Sequence, residues 1–158
     1  MKATKFAVLG LTIIGMASVF MDWIAVGGKN AAAFADKMPL SGMDNGGPIF
    51  LFFLALPLLA AVIGISKRFG RGMGVLSLIG GLLAVFMGLV KYSDIGSAAQ
   101  SAKGLDVSVD AAIGYWLFFV SSCGIFLAGV VALIAPEKKV AAPAAVGVLP
   151  TMATHRGV

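Results

Sequence analysis

Charge is scarce in this chain. Only 12% of its 158 residues are Asp, Glu, Lys or Arg, against about a quarter in an average soluble domain. A chain of this size has room for one compact unit, and in water that unit must still cover its core with polar surface. Lipid as the solvent accounts for the deficit. Cysteine and histidine are scarcer still, with Cys123 and His155 alone of their kind. One cysteine excludes an intrachain disulfide and also the cysteine pair that thiol–disulfide exchange needs. Cys123 lies in an apolar run and reads as a small buried hydrophobe. His155, in the C-terminal segment, leaves a membrane bundle without the usual axial ligands of haem, and no cluster of ligand residues suggests a metal site. No cofactor is therefore expected. No Asp, Glu, Lys, Arg or His falls near the middle of an apolar run, which removes the usual basis of proton-coupled transport.

What is abundant is apolar sequence, 59% of the chain. It is gathered into four runs: Phe6 to Val26, Pro48 to Ser66, Met73 to Val90 and Ala111 to Ala135. Each reaches or approaches the ~20 residues that cross about 30 Å of hydrocarbon. In lipid, backbone polar groups must pair within their own segment, so each run is expected to be helical. The reading is an all-α, antiparallel, transmembrane four-helix bundle over residues 1–135. Its helices cover about 5–26, 48–66, 73–92 and 111–135. An Ala- and Pro-rich flexible cytoplasmic tail is expected over 136–158. The first run is long for the apolar part of a secretory signal. Ala17-Ser18-Val19 places bulky Val19 where cleavage wants a small residue. Ser108-Val109-Asp110 is expected to cap the fourth helix, with Asp110 at the positive end of its dipole.

The net charge of +5 raises nucleic acid as a partner, but the basic residues flank the apolar runs and form no stripe with interleaved aromatics. Membrane topology explains them better. Lys2, Lys5, Lys67, Arg68, Arg71, Lys138, Lys139 and Arg156 fall on one side of a four-span chain, and Lys29, Lys37, Lys91 and Lys103 on the other. The richer side is cytoplasmic. Both termini are thus expected in the cytoplasm, in a multi-pass protein of a bacterial inner membrane. Trp23, Tyr92, Tyr115 and Trp116 fall at the outer helix ends, as an interfacial aromatic belt does.

Small residues form faces. Ser77, Gly81, Ala84 and Gly88 recur at spacings of four, three and four, hence on one side of the third helix. Gly124 and Ala128 begin a similar ladder on the fourth. Such faces let membrane helices approach closely, either within one bundle or against a partner chain. Asp22 and Lys91, near the outer ends of the first and third helices, are placed to form an interfacial ion pair, although charged residues also reach head groups singly. Pro57 removes a backbone hydrogen bond in mid-helix. Phe50, Phe52 and Phe53 face lipid or pack against Phe86 or Phe118.

In the order of its parts the chain resembles small bacterial tetraspan membrane proteins of unassigned function with claudin-like topology. The matching features are Trp23, the outer Ser41-Gly42-Met43-Asp44 stretch, the short basic hairpin Lys67 to Gly72, and Gly114-Tyr115-Trp116-Leu117 opening the fourth helix. The first outer loop is too short for the several-stranded sheet of a claudin and lacks its cysteine pair. The resemblance thus implies a topology and not an adhesive function.

With small-residue faces and no reactive constellation, the expected function is that of a non-enzymatic accessory or structural subunit, packed against another membrane protein or itself within the lipid bilayer. The alternative is a channel or carrier for a small neutral or weakly polar solute, lined by Thr12, Ser18, Ser77, Ser121 and Ser122. A third class is an enzyme using the outer carboxylates Asp94, Asp106 and Asp110. Gly70-Arg71-Gly72-Met73-Gly74 follows a membrane helix and not a strand, so it fails as a nucleotide-binding signature.

Overall fold

The computed structural model describes residues 3–66 and 70–135. The apolar runs fold largely as helices. In chain order the elements are α1 (Ala3–Val19), β1 (Ile24–Gly28), α2 (Ala31–Ala35), α3 (Gly47–Ser66), α4 (Arg71–Ala102), β2 (Val107–Ala111) and α5 (Ile113–Ile134). Helices α3, α4 and α5 are long and apolar enough to cross a membrane, and α1 is a shorter apolar helix of 17 residues. The expected basic turn at Lys67 and Arg68 and the tail at 136–158 lie outside the described residues.

The contacts fix the order of packing. Helix α1 lies against α3 and α5, and α4 lies against the same two, so α1 and α4 are diagonal. Lys5 Nζ donates to the Gly64 carbonyl across 3.1 Å, Gly15 meets Leu54, and Val19 meets Gly47. Helices α1 and α3 therefore run in opposite directions. The pairs Leu11–Gly124 and Gly15–Ser121 reverse α1 against α5, and Gly74–Ala132, Gly81–Phe126 and Gly88–Phe119 reverse α4 against α5.

The interior is divided along its length. Trp23, Tyr115, Phe50, Phe118, Leu54 and Ile125 fill one half. The other half is made of Val8, Ala60, Ala61 and Ala132, where small side chains bring backbones together. Pro57 sits in this packing. A Cβ on Gly80 would lie 2.6 Å from its ring and 2.8 Å from the Phe53 carbonyl, the acceptor left free where proline has no N–H. Polarity is inverted relative to a soluble fold. Thr12, Ser18, Ser77, Ser121 and Ser122 are buried, while Phe52 (67%), Phe86 (60%) and Val120 (64%) are exposed.

Three expectations are corrected. The first helix does not run to residue 26. It ends at Val19, and Ile24–Gly28 pairs antiparallel with Val107–Ala111, from Ile24 opposite Ala111 to Gly28 opposite Val107. The chain is therefore mostly helical, with one short two-stranded ribbon that the helical reading did not include. The third helix does not stop at 92. It continues to Ala102, 32 residues in all, about 48 Å against roughly 30 Å of hydrocarbon. The hydroxyls of Ser97 and Ser101 donate back to the carbonyls of Ser93 and Ser97, and Ile95 and Ala102 are buried in the same core as Val109 of the ribbon. Lastly, Asp110 lies in β2 and caps nothing. The N-cap of α5 is Ala112, with no side-chain cap; its N–H donates to the Trp23 carbonyl across 2.9 Å.

Candidate functional site

The small-residue faces are occupied within the chain. Ser77, Gly81, Ala84 and Gly88 are all buried on α4. A Cβ on Gly81 would lie 2.6 Å from the backbone nitrogen of Phe126, and one on Gly88 3.2 Å from the Phe119 ring. Gly129 of α5 returns the contact, since a Cβ there would lie 2.7 Å from the nitrogen of Leu78. Gly124 turns toward α1, where a Cβ would lie 2.8 Å from Leu11 Cδ1. Ala128 packs on the cluster of Val8, Ala60, Ala61 and Ala132.

Asp22 and Lys91 are not brought together. Lys91 Nζ lies 3.1 Å from Asp94 Oδ2, one turn along its own helix. Asp22 is exposed and its backbone bridges to Ser41. Helix α1 ends before residue 22, and α1 and α4 are diagonal, so the expected partners start from opposite corners.

Three segments far apart in sequence converge on Trp23. Its Nε1 donates to the Ser18 carbonyl across 2.8 Å, its N–H to Leu40 across 2.7 Å, and its carbonyl accepts from Ala112. The ring lies 4.8 Å from Phe50 and 4.9 Å from Phe118 between centroids. A Cβ on Gly42 would overlap the indole nitrogen, and one on Gly114 would lie 2.5 Å from the Asp22 carbonyl and 3.1 Å from Trp23 Cδ1. Ser41 Oγ donates to Asp44 Oδ2, and Asn45 Nδ2 to the carbonyls of Pro39 and Ser41, which fixes the loop that carries Gly42. The expected aromatic belt is thus split. Trp23 and Tyr115 are 1% exposed and belong to the core, whereas Tyr92 (51%) and Trp116 (45%) remain at the surface.

Above this knot the extended end of α4 and strand β2 flank a groove of about 330 Å³, lined in part by Tyr92, Gly96, Ala99, Asp110 and Trp116. The three outer carboxylates are separated by role. Asp94 faces Lys91, Asp106 adopts a positive φ of 54° in the turn before β2, and Asp110 lies opposite Ala25 in the ribbon. Among the described residues no three of His, Cys, Asp and Glu come close enough together to hold a metal.

The buried hydroxyls point to their own helices. Thr12 donates to Val8, Ser18 to Gly15, and both Ser121 and Ser122 to Phe118. Only Ser77 Oγ has no partner among the described residues. The ribbon and the groove are what the sequence reading missed. The alternation Val107-Ser108-Val109-Asp110 is the signal that could have revealed the strand; its last three residues read instead as a helix cap.

No family model matches the chain, and neither the curated proteins nor the solved structures contain a match to it.

Proposed function

We propose that this is an integral membrane protein of a bacterial inner membrane. It crosses the bilayer four times as an antiparallel bundle with both termini cytoplasmic, and serves as a non-enzymatic accessory or structural subunit. Helices α3, α4 and α5 supply three spans by length and composition. The fourth span rests on packing. Helix α1 follows α3 from the Lys5–Gly64 contact to the Val19–Gly47 contact, so a membrane crossed by α3 is crossed by α1. Its 17 residues cover about 26 Å, and Phe20 and Met21 extend the apolar length.

The observation that carries the accessory reading is the use made of the interior. Four of the five buried hydroxyls donate to carbonyls of their own helix, and Trp23, Phe50, Phe118, Leu54 and Ile125 fill the outer half of the bundle. Among the described residues a solute would meet apolar side chains and, Ser77 Oγ apart, no buried hydroxyl without a partner, which favours a structural role over a carrier. The small-residue faces hold the bundle itself together, which leaves the lipid-facing surfaces and the outer ribbon for another membrane protein or a second copy. Purification of the full chain in mild detergent tests this reading. A stoichiometric membrane partner or a defined homo-oligomer is expected. A monomer that by itself carries a polar solute into liposomes would contradict it.

A further inference from the structure

Asn45 and Gly46 form an Asn-Gly pair in the loop that carries Gly42. The Asn45 side chain is half-buried. Its Nδ2 donates to the Pro39 carbonyl across 2.7 Å and to the Ser41 carbonyl across 2.9 Å. Those two carbonyls flank Leu40, whose own carbonyl accepts from the N–H groups of Trp23 and Ile24. The amide therefore clamps the stretch against which Trp23 is seated. Two features of Gly46 bear on the reactivity of that amide. It has a φ of 103° and no Cβ, so no side chain crowds the approach of its nitrogen to the side-chain carbonyl of Asn45. Among the described residues the Gly46 N–H makes no backbone hydrogen bond, so no backbone acceptor holds that nitrogen back.

We propose that Asn45 is a site of spontaneous deamidation, gated by opening of the loop, and that its conversion unlatches the loop from Trp23. The Gly46 nitrogen attacks Asn45 Cγ. A C–N bond forms, the Gly46 proton passes through water to the departing Nδ2, and ammonia leaves a cyclic imide. Water then opens the ring at either carbonyl, which gives Asp or its β-linked isomer. While the loop is closed, two carbonyls hold the amide in one orientation, and attack waits on local opening. After conversion a carboxylate with no proton to donate faces the carbonyls of Pro39 and Ser41. Both hydrogen bonds are lost and acceptor meets acceptor, which costs more than a missing bond alone. The β-linked isomer also lengthens the backbone directly before α3.

The test holds the full chain in detergent at mildly alkaline pH and reads conversion at each asparagine by peptide mapping. Asn30, the other asparagine of the chain, precedes Ala31, whose Cβ crowds the same attack, and serves as the internal control. Asn45 is expected to convert ahead of Asn30. Gly42→Ala, which forces the loop and the indole apart, is expected to raise the rate at Asn45 about tenfold by favouring the open loop; Trp23→Phe takes its place where Gly42→Ala does not fold. Asn45→Asp is read in a Trp116→Phe background, where Trp23 is the sole tryptophan, and is expected to shift Trp23 emission to longer wavelength. Conversion of Asn30 ahead of Asn45 would overturn the modification site. Equal rates in the wild type and the loop variant would overturn the gating, and unchanged Trp23 emission in Asn45→Asp would overturn the unlatching.

Discussion

Gly42 lies so close to Trp23 that a Cβ on the glycine would overlap the indole nitrogen. That contact joins the first outer loop to the end of α1, and Gly114 closes the same knot from the start of α5. The indole also ties the chain beyond α1 back to the last turn of the helix through Ser18. The knot is expected to be the most sensitive point of the fold outside the helix interfaces.

Trp23→Ala should cost about 3–5 kcal/mol, the range for removing a large buried aromatic side chain. Gly42→Ala should cost about 1–3 kcal/mol, because a methyl group must displace the indole or the loop. Thermal unfolding in detergent checks both. Trp23→Ala combined with Gly42→Ala should cost less than the sum, since the methyl group can enter the space the indole leaves. Strict additivity would show that the two residues do not meet.

The helix interface can be tested by substitutions of opposite sign. Gly81→Ala should destabilise by about 1–3 kcal/mol, because its methyl group meets the backbone of Phe126. Gly10→Ala, where a Cβ meets nothing within 4 Å, should be neutral or stabilising by up to about 1 kcal/mol. Ser77→Ala removes an unpartnered buried hydroxyl and should also keep or raise the Tm. Equal losses in all three would mean that this face does not seat α5.

Much of this was legible from the residues, and the parts that were not share a cause. Runs such as Pro48 to Ser66 announce themselves as helices because they are long and apolar enough to cross a membrane. The spacing of Ser77, Gly81, Ala84 and Gly88 likewise announces a packed face. The end of α1 was not legible. Phe20, Met21, Trp23, Ile24 and Val26 are as apolar as the helix before them, and only pairing with residues 107–111 turns the last of them into a strand. The continuation of α4 was hidden in the same way. Ser93 to Ala102 is polar enough for a loop, yet its serines bond back along the helix and Ile95 and Ala102 find buried sites. Asp22 and Lys91 were expected to pair, but the chain leaves α1 before residue 22 and α1 and α4 are diagonal, which sequence spacing does not reveal.

The ion pair that does form is worth little. Lys91 and Asp94 lie one turn apart, with Asp94 well exposed, so Asp94→Asn should change stability by no more than about 0.5 kcal/mol. Asp22→Asn combined with Lys91→Met should be additive, within the ~0.5 kcal/mol typical of sites that share no partner. Unfolding midpoints of the single and double variants measure both. A coupling above about 1 kcal/mol between residues 22 and 91 would restore the pair that the fold separates.

The membrane placement is the claim on which the account depends, and cysteine accessibility in intact cells tests it most directly. In a Cys123→Ser background, single cysteines at Ala3, Lys29, Arg71 and Ser97 sample the start and far side of α1, the start of α4 and its extension. An impermeant thiol reagent is predicted to label Lys29→Cys and Ser97→Cys in intact cells, and to label Ala3→Cys and Arg71→Cys only after lysis. Labelling of Ala3→Cys together with Lys29→Cys in intact cells would show that α1 does not cross the bilayer. Labelling of Arg71→Cys but not Ser97→Cys would reverse the orientation of the bundle.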